Sequence, residues 1–153
     1  MPRPGAATAT GNDCFHPEAE MMHKPGFEPI ARTSPFIDLI GPLWQRQDAG
    51  CLVIALRAGH KHCNARGHVH GGVLATLADI ALGYSCAFST DPPTPLVTVS
   101  QAIDFAGQAR EGDWIEAHAD VQRTGKNLAF ANCYLQVDGQ RIARASAVFS
   151  VAR

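Results

Sequence analysis

Between Ile115 and Gln122 apolar and polar residues alternate without a slip, Ile115, Ala117, Ala119 and Val121 against Glu116, His118, Asp120 and Gln122. A period of two puts successive side chains on opposite faces of an extended chain, so this segment is predicted to be a strand with one wet face. The pattern returns at once. Ala129, Ala131, Cys133, Leu135 and Val137 alternate with Asn132, Tyr134, Gln136 and Asp138. Gly125-Lys126 turns the chain between the two strands, and Asp138-Gly139 is a strong hairpin signal ahead of another strand, Arg141 to Val151. Upstream, Thr90-Asp91-Pro92-Pro93 breaks the chain before an extended stretch from Leu96 to Phe105, where Val97, Val99 and Ile103 alternate imperfectly with polar residues. Leu43 to Gln47 and Cys51 to Ala58 flank Asp48-Ala49-Gly50 as a hairpin, and a short helix over Phe36, Ile37, Leu39 and Ile40 ends near Gly41-Pro42.

One segment breaks the strand pattern. After His70-Gly71-Gly72 an apolar run extends from Val73 to Phe88, and Asp79 is its only side chain charged at neutral pH. The run has no Pro and is rich in helix formers, with Ala75, Leu77, Ala78, Ala81 and Leu82. A helix that is apolar on nearly all sides is buried, and a lone carboxylate in it needs a partner or a chemical task, because burying an unpaired charge is costly. Thr76 is one candidate partner. The length, three glycines and the central Asp make the helix a poor membrane span.

The order is short helix, two strands, long helix, four strands, an α+β layout. An antiparallel sheet of about six strands can curl around the central helix, and Ala75, Ala78 and Ala81 permit close approach. A sheet covers one side of such a helix, so a second subunit is expected on the other.

Composition narrows the classes. The 153 residues suffice for one core, and 46% hydrophobic with 18% charged is ordinary globular usage. A net charge of -1 argues against nucleic acid as the main partner. The five cysteines, Cys14, Cys51, Cys63, Cys86 and Cys133, form no CxxC pair, and the N-terminus has no apolar signal segment. Reduced thiols in a cytoplasm are therefore expected. Residues 1–26, rich in Pro, Gly, Ala and Thr, read as a mobile extension ahead of a single domain over 27–153.

Asn64-Ala65-x-Gly67-x-x-His70-Gly71-Gly72-x-x-x-x-Leu77-x-Asp79, on a helix followed by four strands, resembles the signature of hotdog-fold acyl-CoA thioesterases of the phenylacetate-pathway (PaaI) type, in the 4-hydroxybenzoyl-CoA thioesterase superfamily. The likeness covers about residues 36–153 and includes the Gly125-Lys126 turn. It departs in the leader, which is longer than usual in that family. It implies a hotdog fold, an acyl-CoA substrate and a homodimer, itself paired as a dimer of dimers.

Chemistry points to the same residues. Thioester hydrolysis needs a nucleophile or a base for water, and donors for the oxyanion that forms. The Gly71 N–H, at a helix N-terminus, is such a donor, and Gly lets the thioester approach the backbone. Asp79 is then the base or the nucleophile, its apolar surroundings favouring a raised pKa. Asn64 orients water or contacts the thioester carbonyl through its amide, or else caps a turn before Gly67. His70 is expected to fix the loop by hydrogen bonding, and Thr98 to position water or hold Asp79. Eight residues of helix separate Gly71 from Asp79, a rise of roughly 12 Å, so the two cannot flank one carbonyl within a chain. A two-fold dimer would bring Asp79 of one subunit to Gly71 and Asn64 of the other.

Lys126, Arg123, Arg110 and Arg66 are the candidate cations for the CoA phosphates. Leu74, Tyr84 and Phe88 would line an apolar acyl or aryl pocket. His60, His62, Cys63, His68 and His70 form a competing zinc set, but their spacing matches no common template, so no metal is expected. Two other readings stay open. One is an acyl-CoA-binding protein without turnover, which the intact Asp79 disfavours. The other is a dehydratase or hydratase, disfavoured because no His follows Asp79 within the helix.

Overall fold

The computed structural model describes residues 23–152, so residues 1–22 of the expected extension lie outside the described residues. The strands are β1 (Glu28–Pro29), β2 (Leu43–Asp48), β3 (Cys51–Arg57), β4 (Leu96–Phe105), β5 (Trp114–Thr124), β6 (Leu128–Val137) and β7 (Gln140–Val151). The helices are α1 (Pro35–Ile40) and α2 (Gly71–Ala87), with a 3₁₀ turn at His60–His62. All seven strands join one antiparallel sheet in the order β1-β2-β3-β5-β6-β7-β4, and the sheet wraps α2 in the hotdog arrangement. The expected count was about six. The extra strand, β1, is two residues long and includes a Pro, too short to leave a periodic signal.

Both short hairpins turn where the sequence places them. Ala49 and Gly50 have φ of 46° and 85°, and Asp138 and Gly139 have 48° and 79°. Two successive residues at positive φ match the right-handed twist of the flanking strands, which is why Gly occupies the second position in each.

Toward the sheet, α2 buries Leu74, Leu77, Ala78, Ala81, Leu82 and Cys86. They meet Ile54, Leu56, Ile115, Leu135 and Phe149, all fully buried, and alanines at 117, 119, 129, 131, 143 and 145 fill the inner face between them. Small residues on both sides bring the helix close to the strands. Each large apolar side chain fully withdrawn from water adds about 1.5–3 kcal/mol to this packing. The opposite side of α2 is less covered, since Ala75, Thr76 and Asp79 are half-buried. No helix among the described residues is long and apolar enough to cross a membrane.

A second cluster sits on the outer face, where Phe27, Val53, Ala55 and Trp114 are buried with Trp44 against them. The chain from His23 onward covers it. His23 stacks on Trp44 with ring centroids 4.4 Å apart, and Phe27 meets Trp114 edge-on at 5.1 Å. Lys24 pairs with Asp138 at 3.3 Å and Glu116 at 3.8 Å. Described contacts thus begin within the last four residues of the expected extension.

Strand β4 forms one edge of the sheet. It is ten residues long, and Val97 and Val99 are 58% and 61% exposed. A long apolar edge with unpaired backbone groups is a template for another strand.

Candidate active site

The site begins in the loop before α2. The Asn64 N–H donates to the His68 carbonyl at 2.7 Å, and the Gly67 N–H donates to the Asn64 carbonyl at 2.9 Å. The Asn64 side-chain oxygen accepts from the Arg66 and His68 N–H groups at 2.9 and 3.3 Å. Asn64 is therefore a turn former through its oxygen, which leaves its NH₂ as the group free to serve a ligand. Gly67 has φ 76°, the left-handed conformation that reverses the chain.

His70 caps α2. Its Nδ1 accepts from the Gly72 N–H at 2.9 Å, satisfying one of the four donors that a helix start leaves over. The two glycines have separate reasons. A Cβ on Gly72 would stand 3.0 Å from His70 Nδ1, and a Cβ on Gly71 would stand 3.2 Å from the Phe105 ring. The Gly71 N–H has no hydrogen-bond partner among the described residues. It sits at the positive end of the helix dipole. A hollow of about 360 Å³ lies in front of it, lined by Asn64, Arg66, Leu74, Phe105 and Gln108 among others.

Asp79 lies two turns along. The Thr98 hydroxyl donates to its Oδ1 at 3.0 Å, so the partner is Thr98 on β4 rather than Thr76 on the helix itself. A bulge makes this possible. Thr98 pairs with Phe149 and Ser100 with Val148, so Val99 is an extra residue on β4. The extra residue shifts the alternation, and Thr98 and Gln101, three apart, both reach α2. Gln101 Nε2 donates to the Ala75 carbonyl at 2.9 Å. The same shift is the cause of the imperfect alternation seen in the sequence, and it hid Gln101, whose side chain reads as solvent-facing in an unbroken strand.

Two open hollows meet at Asp79, one of about 560 Å³ toward Phe36, Gln101 and Ile103, the other of about 350 Å³ toward Tyr84, Phe88 and Leu96. Asp79 is half-buried, so the complete burial inferred from its apolar neighbours in sequence is not supplied by one chain. None of these three hollows is lined by both Gly71 and Asp79.

The candidate cations divide. Arg66 lines the Gly71 hollow, and Arg110 is bridged to His68 beside it. Arg123, near the end of β5, and Lys126, in the turn that follows, lie at the other end of α2, where Thr124 meets Ser89 at 2.9 Å. The histidine-rich stretch has a structural task. Lys61 Nζ donates to the Leu39 and Gly41 carbonyls at 2.9 and 2.7 Å, and His62 Nε2 donates to the Ile40 carbonyl at 2.6 Å. Together they satisfy the carbonyls at the end of α1. His62 Nδ1 accepts from the Gly59 N–H at 2.8 Å, so both its ring nitrogens are engaged, and His60 faces Glu111 at 3.4 Å. No group of three metal-ligating side chains is gathered among the described residues.

The Thioesterase superfamily model matches residues 66–144, a span that holds Gly71, Asp79 and Thr98. The chain is 52% identical over 131 residues to "Putative esterase PA0474" of Pseudomonas aeruginosa, covering 84% of this chain and 98% of that one. It is 32% identical over 83 residues to human acyl-coenzyme A thioesterase 13, covering 54% of this chain and 59% of that one. The PaaI protein of the Escherichia coli phenylacetic acid degradation operon superposes with a TM-score of 0.71 over 79% of this chain and 86% of that one, at 22% identity, a likeness of fold.

Proposed function

The chain belongs to the thioesterase superfamily and is a thioester hydrolase, and from that premise we propose that its substrate is an aryl- or medium-chain acyl-CoA, cleaved between two subunits with Asp79 as base or nucleophile. One observation carries the reading. At the start of α2 stands a Gly71 N–H without a partner among the described residues, and two turns along stands a carboxylate held by Thr98, each before its own hollow.

A second copy joins these halves. Antiparallel pairing of β4 with the same strand of a partner would cover the exposed Val97 and Val99, satisfy the edge, and set two α2 helices in opposite directions. Asp79 then faces the partner subunit's Gly71 and the partner subunit's Asn64. With Asp79 as base, it takes a proton from water as the hydroxide adds to the thioester carbonyl. The oxyanion is held by the Gly71 N–H and the Asn64 amide. Collapse breaks the C–S bond, and the thiolate leaves with a proton. With Asp79 as nucleophile, it attacks the same carbonyl and water cleaves the resulting anhydride. Both routes release free acid and CoA. Thr98, donating to Oδ1, leaves Oδ2 for this chemistry. Arg66, which lines the Gly71 hollow, is the candidate for a CoA phosphate, with Arg110 bridged to His68 beside it; Arg123 and Lys126, like Arg110, line neither hollow.

The test is free-thiol release from a panel of acyl-CoAs, run with and without EDTA. Turnover of one or more aryl- or medium-chain thioesters, unchanged by the chelator, is the expected result. Loss with EDTA and recovery with zinc would transfer the chemistry to the His60 to His70 stretch.

A further inference from the structure

A cationic residue is among those that line the hollow running from Asp79 along α2. Its walls are largely apolar, with Ile80, Tyr84, Phe88, Leu96 and Phe149, and Arg32 is the one Lys or Arg among its described lining residues. Its volume of about 350 Å³ suits a short acyl chain or a single ring. Asp79 and Thr98 mark one end.

Arg32 is placed at the level of Tyr84, because the Tyr84 hydroxyl donates to the Arg32 carbonyl at 3.1 Å. Five residues of helix separate Asp79 from Tyr84, a rise of about 7.5 Å, within reach of an acyl chain of a few carbons. Arg32 is an exposed residue at the rim of the hollow, beside Tyr84. Burial raises the pKa of the Tyr84 phenol, and the nearby Arg32 charge acts the other way. Arg32 forms no ion pair with any described residue. A guanidinium beside apolar walls is a fork for a carboxylate, which it binds through two parallel N–H donors.

On the hydrolase reading above, the thioester carbonyl lies at Asp79, CoA leaves past the partner subunit's Arg66, and the acyl group fills the hollow toward Arg32. We infer that the acyl group carries a carboxylate at its far end, bound by Arg32, so that the substrate is the mono-thioester of a short dicarboxylic acid. The carboxylate stays a helix turn or more from Asp79, which limits repulsion between the two.

The experiment compares adipyl-CoA with hexanoyl-CoA, equal in carbon count and different in the terminal group. Wild type should favour adipyl-CoA by about tenfold or more in kcat/KM, chiefly through KM, the size expected of one charge-assisted contact. Arg32→Gln should remove that preference and leave hexanoyl-CoA turnover within about twofold of wild type, while Arg32→Lys keeps part of it. Equal use of the two substrates by wild type overturns the inference. So does an equal loss on both in Arg32→Gln, which would place Arg32 on a CoA phosphate. Calorimetric binding of the two thioesters to Asp79→Asn protein separates this from the hydrolase reading. Tighter binding of adipyl-CoA that Arg32→Gln abolishes, in a protein whose wild type releases no thiol from any thioester, would sustain the carboxylate site and sink the hydrolase.

Discussion

At the residue scale the chemistry rests on Asp79 and on what holds it. Replacement by Asn keeps the volume and removes the basicity, so Asp79→Asn should lower kcat by at least about 100-fold with the fold intact, the lower end of what a general base contributes. Near-native turnover from a folded Asp79→Asn protein would assign Asp79 to structure alone. The buried thiols carry a different expectation. Burial pushes Cys133 up to about 12 and Cys86 up to about 11, against an ordinary thiol value of 9.0. Below pH 9 folded and unfolded states both hold these protons, and the stabilisation is whole. As pH rises from 9 toward 12 the unfolded thiols ionise first, so stability drains away. Denaturant midpoints at pH 8 and pH 10 should show the fall, and Cys133→Ala should shrink it. An unchanged difference between the two pH values in that variant would remove Cys133 as a source.

At the element scale, the link between α1 and the 3₁₀ turn holds one wall of the site. Phe36 and Ile37 of α1 line the larger Asp79 hollow, and α1 is held at its C-terminal end by Lys61 and His62. His62→Ala should cost about 1–3 kcal/mol, since it orphans the half-buried Ile40 carbonyl and Gly59 N–H, and thermal denaturation reads this directly. Activity should fall less than stability, because His62 touches neither Asp79 nor Gly71. A collapse of kcat with unchanged Tm would instead place the histidine in the reaction. The sequence shows why these residues invite a metal reading: imidazoles and a thiol cluster within eleven positions. That a helix end some twenty residues earlier claims His62, with Lys61 beside it, is a long-range fact that no local spacing records.

At the scale of the whole molecule, the arrangement of the site between subunits has its own test. If Asp79 and Asn64 serve one site from opposite chains, inactive Asp79→Asn and Asn64→Ala proteins should complement once their subunits exchange. Each mixed dimer has one site with both lesions and one with neither. Random pairing makes half the dimers mixed, so activity should recover to roughly a quarter of wild type. A mixture that exchanges subunits and stays inactive would put the whole site within one chain.

The sequence by itself determined the succession of four strands in the C-terminal half, the two hairpin turns at Ala49-Gly50 and Asp138-Gly139, and the central helix within a residue or so, but not that β4 crosses over to pair with β7. It also singled out the Asn64, Gly71 and Asp79 spacing. These are local quantities: a period of two, turn residues able to take positive φ, and a run of helix formers behind a Gly pair. Only the tertiary structure decided what Asp79 bonds to, because Thr98 reaches it through a bulge that shifts the strand's alternation by one residue. Only the tertiary structure showed Asn64 holding its turn by its oxygen, and His62 and Lys61 closing α1. It also placed Arg32, from the irregular segment between β1 and α1, in a hollow beside a helix about fifty residues away. Each depends on which segments the fold brings together, and side-chain hydrogen bonds between distant segments leave no periodic trace in the chain.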